Sequence, residues 1–133
     1  MARDEHKRRA WVALGGYIAG ADGLSAEEAD SLGRASAGPE LSADESIALI
    51  VAAGSKSLPE ESLAAAEEAD VAVTVDRLLE IAHAVASDGM SPGEWTRFRE
   101  VAARLLGEGK VDALVRLVVS NGEARKARRE LLG

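Results

Sequence analysis

An eight-residue corner occurs twice in this chain. Residues 21–28 read Ala-Asp-Gly-Leu-Ser-Ala-Glu-Glu, and residues 87–94 read Ser-Asp-Gly-Met-Ser-Pro-Gly-Glu. With Asp22 set on Asp88, Gly23 falls on Gly89, Ser25 on Ser91 and Glu28 on Glu94. Leu24, Leu32 and Ala35 meet Met90, Phe98 and Val101 at the same offset. Self-similarity at one offset is the mark of an internal repeat.

Each copy fuses a stop signal to a start signal. The helix before it ends at the Asp, and Gly supplies the residue just past the end at no Cβ cost. Ser then stands at the N-cap of the next helix, and Glu three positions on closes a capping box, Ser25 with Glu28 and Ser91 with Glu94. Pro92 occupies the first helical position, where its missing N–H costs nothing. The product is a pair of adjacent, roughly antiparallel helices.

The rest of the chain reads the same way. A first helix is expected from about residue 4 to 21, with Trp11, Leu14 and Ile18 as its stripe. At Gly15-Gly16 either another helix packs closely or this one bends. A second helix spans 25–37 and stops at Gly38-Pro39. A third opens on a further capping box, Ser42 with Glu45, carries Ile47, Ile50 and Val51 as its apolar face, and ends at Gly54. A fourth begins near Pro59, carries Leu63 and Ala66 inward and fades near Asp70. The fifth shows Val75, Leu78, Leu79, Ala82 and Val85, with either Thr74 as its cap or an earlier start at Val71. The sixth spans 91–106 with Trp95, Phe98, Val101, Ala102 and Leu105 on one face. A seventh carries Val111, Leu114, Val115 and Val118 and stops near Ser120-Asn121-Gly122, and a short basic helix covers 123–132. No segment alternates with period two. The expectation is an all-α fold: one domain over 1–133, a bundle of seven or eight short helices with two related helical hairpins.

Composition narrows the chemistry. With no Cys in the chain, disulfides and thiolate metal sites are excluded. Residues 11–70 carry twelve acidic and two basic side chains, against a net charge of −7 for the whole. Such a block repels phosphates, which argues against nucleic acid; it suits a cation or a basic protein partner, or simply a solvated surface. A signal peptide is not expected at the N-terminus: Asp4 and Glu5 interrupt its basic start, three glycines dilute the apolar run, and cleavage after Ala21 would destroy the first corner. No run approaches the ~20 apolar residues of a membrane helix. A cytoplasmic protein is expected.

The acids of the two corners, Asp22, Glu28, Asp88 and Glu94, admit two readings. They are turn and capping groups, which local geometry alone explains. Alternatively, the two hairpins pack about a pseudo-twofold axis and gather four carboxylates, whose repulsion a hard cation relieves, Ca²⁺, Mg²⁺ or Mn²⁺ rather than zinc. An EF-hand is excluded, because Ile18, Gly20 and Ala29, and then Ala84, Ala86 and Trp95, stand where loop ligands are required. Asp30-Ser31-Leu32 matches the phosphopantetheine site of acyl carrier proteins over three residues only, inside a helix already begun at Ser25 and cut short at Gly38-Pro39. His6 and His83 are the only histidines, and His83 aligns with Tyr17 in the other half. No nucleophile–base–orienter set and no phosphate-binding glycine loop is present, so no catalysis and no organic cofactor are expected.

At residues 18–28 and 84–94 the chain resembles the TerB-like family of tellurite-resistance proteins, which carries an Ala-Asp-Gly-apolar-Ser-x-x-Glu signature in each of two helical halves. The resemblance extends over about residues 10–106 in pattern and over the two corners in detail. It implies an all-helical domain of about seven helices and a bacterial cytoplasmic protein of tellurite resistance or a related stress response. It further implies partners in membrane-associated assemblies and a divalent cation on Asp22, Glu28, Asp88 and Glu94. The second copy departs in having Ser87 for the usual Ala and Gly93 within its first turn.

Overall fold

Residues 10–19 contain no charged side chain. A helix apolar on every side has to be surrounded by others. The computed structural model, which describes residues 2–22, 42–85 and 90–133, shows that arrangement. Helix α1 (Ala2–Ala19) runs into a single 3-10 turn (Gly20–Asp22). It is followed by α2 (Ala43–Ala53), α3 (Glu60–Ala66), α4 (Val71–Val85), α5 (Pro92–Leu106) and α6 (Glu108–Leu132). All regular structure among the described residues is helical, and no helix there is long and apolar enough to cross a membrane. The helix expected over 25–37, and the Ser25–Glu28 capping box with it, lie outside the described residues.

Helix α1 is the axis of the fold. Every residue from Ala10 to Ala19 is buried, and α2, α3, α4 and α5 all pack against it. Leu14, Ile18, Leu49, Leu63, Leu78, Ile81, Phe98 and Val101 form the sealed centre. Gly16 within α1, and Gly20 at the start of the 3-10 turn that follows it, mark its closest neighbour. A Cβ on Gly16 would lie 2.5 Å from the carbonyl oxygen of Leu49, and one on Gly20 would lie 2.1 Å from that of Ala53. The α1 and α2 backbones meet there without side chains between them. Of the two readings of Gly15-Gly16, the close partner is the one found, and α1 continues through it as helix.

That approach also reverses an expectation. The spacing puts Ile47, Ile50 and Val51 on the apolar face of the third helix, yet α2 turns Leu49 and Ala52 inward and leaves those three exposed. The reason is steric: the face that meets Gly16 and Gly20 brings α2's own backbone in, and that face is the one carrying Leu49, Ala52 and Ala53.

Helix α4 begins at Val71, not at Thr74. Asp70 Oδ1 accepts from the Val73 amide at 2.9 Å, while the Thr74 hydroxyl donates to the Asp70 carbonyl. Between α5 and α6 the chain turns on Gly107, the only positive-φ residue among those described, at φ 90°. No side chain with a Cβ holds that conformation cheaply. The expected stop at Ser120-Asn121-Gly122 is absent: α6 is one helix of 25 residues. A mid-helix glycine costs only about 1 kcal/mol relative to alanine, a weak preference that does not by itself end a helix.

Candidate functional site

The second corner is the better described. Ser91 adopts the extended N-cap conformation (φ −66°, ψ 162°), and its Oγ accepts from the Glu94 amide at 3.1 Å. Glu94 Oε1 accepts in turn from the Ser91 amide at 2.8 Å. Pro92 stands at the first helical position, and Glu94 is only 7% exposed. Ser42 and Glu45 build the same box at the head of α2, at 3.1 and 3.0 Å. The other carboxylate oxygen of Glu45 faces Arg8 Nε at 3.5 Å, tying α2 to the start of α1. Two of the three boxes expected from sequence are therefore in place. Ser91→Ala is expected to lower stability by about 1 kcal/mol, read as the shift of a urea midpoint. An unchanged midpoint contradicts the capping role.

Of the four carboxylates, Glu94 is placed by its cap, and one of its oxygens is committed to the Ser91 amide. Asp22 closes the 3-10 turn that ends α1. Glu28 and Asp88 lie outside the described residues. The 3-10 turn packs against α5, the helix that Glu94 opens. Close by, Arg97 Nη1 donates to the Tyr17 carbonyl at 2.6 Å, joining the last turns of α1 to the first half of α5. Among the described residues no three His, Asp or Glu side chains stand together as a metal-ligand group.

A polar clasp with no local sequence signal ties the same helix pair. Tyr17, 4% exposed, donates its hydroxyl to Glu100 Oε1, and the Arg97 guanidinium lies 4.5 Å above its ring. The partners stand some eighty positions away in sequence, and no local pattern signals them. Burial first, and then the bond to Glu100, push the Tyr17 phenol up from 10.0 to about 12. A phenol raised in this way holds its proton more tightly in the folded chain. Its contribution to stability is complete below pH 10 and is lost as pH rises through about 12. Tyr17 is the sole tyrosine, so tyrosinate absorbance reports it alone. The folded chain is expected to show no tyrosinate as pH passes 10, and the chain in denaturant to ionise there. Tyrosinate at pH 10 with the helical signal intact contradicts the clasp.

His83, aligned with Tyr17 in the other half, is exposed and makes no such contact. Partial desolvation of the ring, and then the positive charges of Arg125 and Arg129, hold its imidazole below the usual value. The second half of α6 thus runs beside the end of α4. Compared with protein-family models, curated proteins and solved structures, the chain matches none.

The chemistry on offer at the surface is apolar. Ile47, Ile50 and Val51 are 59, 64 and 66% exposed along one side of α2. Exposed Asp44 stands on the same helix, and the chain that follows exposes Glu60, Glu61, Glu67 and Asp70. Glu60 among these is held by both terminal nitrogens of Arg104, at 2.9 and 2.7 Å, which fastens α3 to α5.

Proposed function

We propose that this chain is a non-catalytic binding module that takes a basic protein partner on the outward side of α2. The supporting observation is the exposure of Ile47, Ile50 and Val51 on a helix whose opposite side is locked to α1. Contiguous exposed aliphatics mark interaction sites. The acidic block of residues 11–70, which contains α2, selects a partner of opposite charge and speeds its approach. The test is capture from an extract of the native cell by the wild-type chain and by Ile47→Ser/Ile50→Ser/Val51→Ser. A basic protein retained by the wild type, released as salt rises from about 0.05 to 0.5 M, and lost by the triple variant at unchanged melting temperature is the expected result. Retention by the triple variant, or indifference to salt, overturns the reading.

The packing of the 3-10 turn against α5 favours a second reading, which is the one the resemblance implies. Here the chain is a TerB-like cytoplasmic stress-response module in a membrane-associated assembly. Its helix over 25–37 completes a bundle of seven with two related hairpins. Asp22, Glu28 and Asp88, with the free oxygen of Glu94, hold Ca²⁺, Mg²⁺ or Mn²⁺. Millimolar cation then raises the melting temperature of the wild type but not of Asp22→Asn/Asp88→Asn. No rise with any of the three ions ends this reading and leaves the corner acids as caps.

A further inference from the structure

Helix α6 has two apolar sides and uses one. Val111, Leu114 and Val118 face the core. On the far side, Ala113, Leu117, Ser120, Ala124, Ala127 and Leu131 recur at alternating steps of four and three, and all six are exposed, Leu117 at 42% and Leu131 at 86%. That spacing is a heptad seam, the pattern by which one helix packs along another. It spans six positions over roughly 27 Å at 1.5 Å per residue.

We propose that this seam receives a second copy of α6, antiparallel, about a two-fold axis passing beside Gly122. The fit of sizes carries the argument. With that axis Leu117 meets Ala127 of the second copy, Leu131 meets Ala113, and Ser120 meets Ala124. Every large side chain then falls on a small one, so the layers fill evenly. A parallel pairing instead sets leucine on leucine and alanine on alanine, so that the wide layers hold the narrow ones apart. Charge agrees with the antiparallel order. Arg116 on one edge of the seam lies opposite Glu130 of the second copy, and the pair occurs twice. Glu123 meets its own copy at the axis, the one like-charge contact. Parallel pairing would favour Glu123 with Arg128 instead. An isologous contact of this kind closes at two chains. A single helix seam falls below the roughly 1,200 Å² of standard interfaces, so the dimer is weak and concentration-dependent. This inference is independent of the partner site on α2.

Sedimentation across protein concentrations from about 1 to 200 μM brackets the micromolar affinity expected of such a contact. The wild type is expected to pass from monomer to dimer. Leu117→Lys stays monomeric at unchanged melting temperature. Arg116→Glu weakens the dimer, adding Glu130→Arg restores it, and Glu123→Gln strengthens it. The chain has no native cysteine, so orientation can be read by disulfide capture. A mixture of Ser120→Cys and Ala124→Cys chains is expected to cross-link to each other faster than either does to itself. A chain that remains monomeric throughout, a dimer indifferent to Leu117→Lys, or preferential self-linking of Ala124→Cys overturns the proposal.

Discussion

Gly20→Ala is expected to lower stability by more than about 3 kcal/mol, the upper end of overpacking costs. Its Cβ would stand 2.1 Å from the Ala53 carbonyl oxygen and 2.6 Å from the Ala53 Cα. Both are backbone atoms of a neighbouring helix, so no rotamer change relieves the clash. The helices must separate, and Leu49 and Ala52 lose their seats against α1 together. Gly16→Ala meets the Leu49 carbonyl oxygen at 2.5 Å and is expected to cost about 2–3 kcal/mol by the same route. The helix-propensity gain of alanine, about 1 kcal/mol, works against both losses and is too small to reverse them. Gly122→Ala is the control. Nothing lies within 4 Å of its added methyl, so it is expected to stabilise by about 0.5–1 kcal/mol. Urea unfolding followed by the combined fluorescence of Trp11, buried, and Trp95, half-buried, measures all three. A Gly20→Ala midpoint at or above the wild type would mean that α1 and α2 do not meet at their backbones.

The second large effect belongs to Phe98. It is 0% exposed and stands edge-on to Trp95, with ring centroids 5.9 Å apart and planes at 87°. Phe98→Ala is expected to cost about 3–5 kcal/mol, the range for truncating a sealed aromatic. Ile50→Ala removes an aliphatic side chain of comparable bulk from a site 64% exposed and is expected to stay within about 0.5 kcal/mol of the wild type. The two midpoints measured side by side separate inward from outward. A loss at Ile50 as large as that at Phe98 would return α2's aliphatic stripe to the core.

That contrast marks where the sequence could be read and where it could not. Caps are local: Ser42 with Glu45 and Ser91 with Glu94 need only neighbours three residues apart, and both boxes are found as expected. The helical class followed from spacing for the same reason. The orientation of α2 did not. Ile47, Ile50 and Val51 form the more hydrophobic stripe, but Gly16 of α1 and Gly20 of the turn after it determine which side faces in. The continuity of α6 through Asn121-Gly122 was hidden because Ser-Asn-Gly reads as a stop, whereas a mid-helix glycine is only weakly unfavourable. The Tyr17–Arg97–Glu100 clasp depends on partners from distant parts of the chain and leaves no periodic trace. Of the candidate cation site, the cap of Glu94 was legible, because its partner Ser91 is adjacent. Where Asp22, Glu28 and Asp88 stand relative to one another depends on how the two halves fold together, which local spacing does not encode.

The account stands on α2 being held at its inner side and open to a basic partner at its outer side. The absence of native cysteine makes one measurement direct. A photoreactive label on Ile50→Cys, compared with the same label on Ala64→Cys at an exposed position of α3, is irradiated in an extract of the native cell at low and at high salt. The account predicts a cross-link to one basic protein from position 50 alone, abolished by high salt. Equal labelling from both positions, or a cross-link from position 50 that persists at high salt, contradicts it.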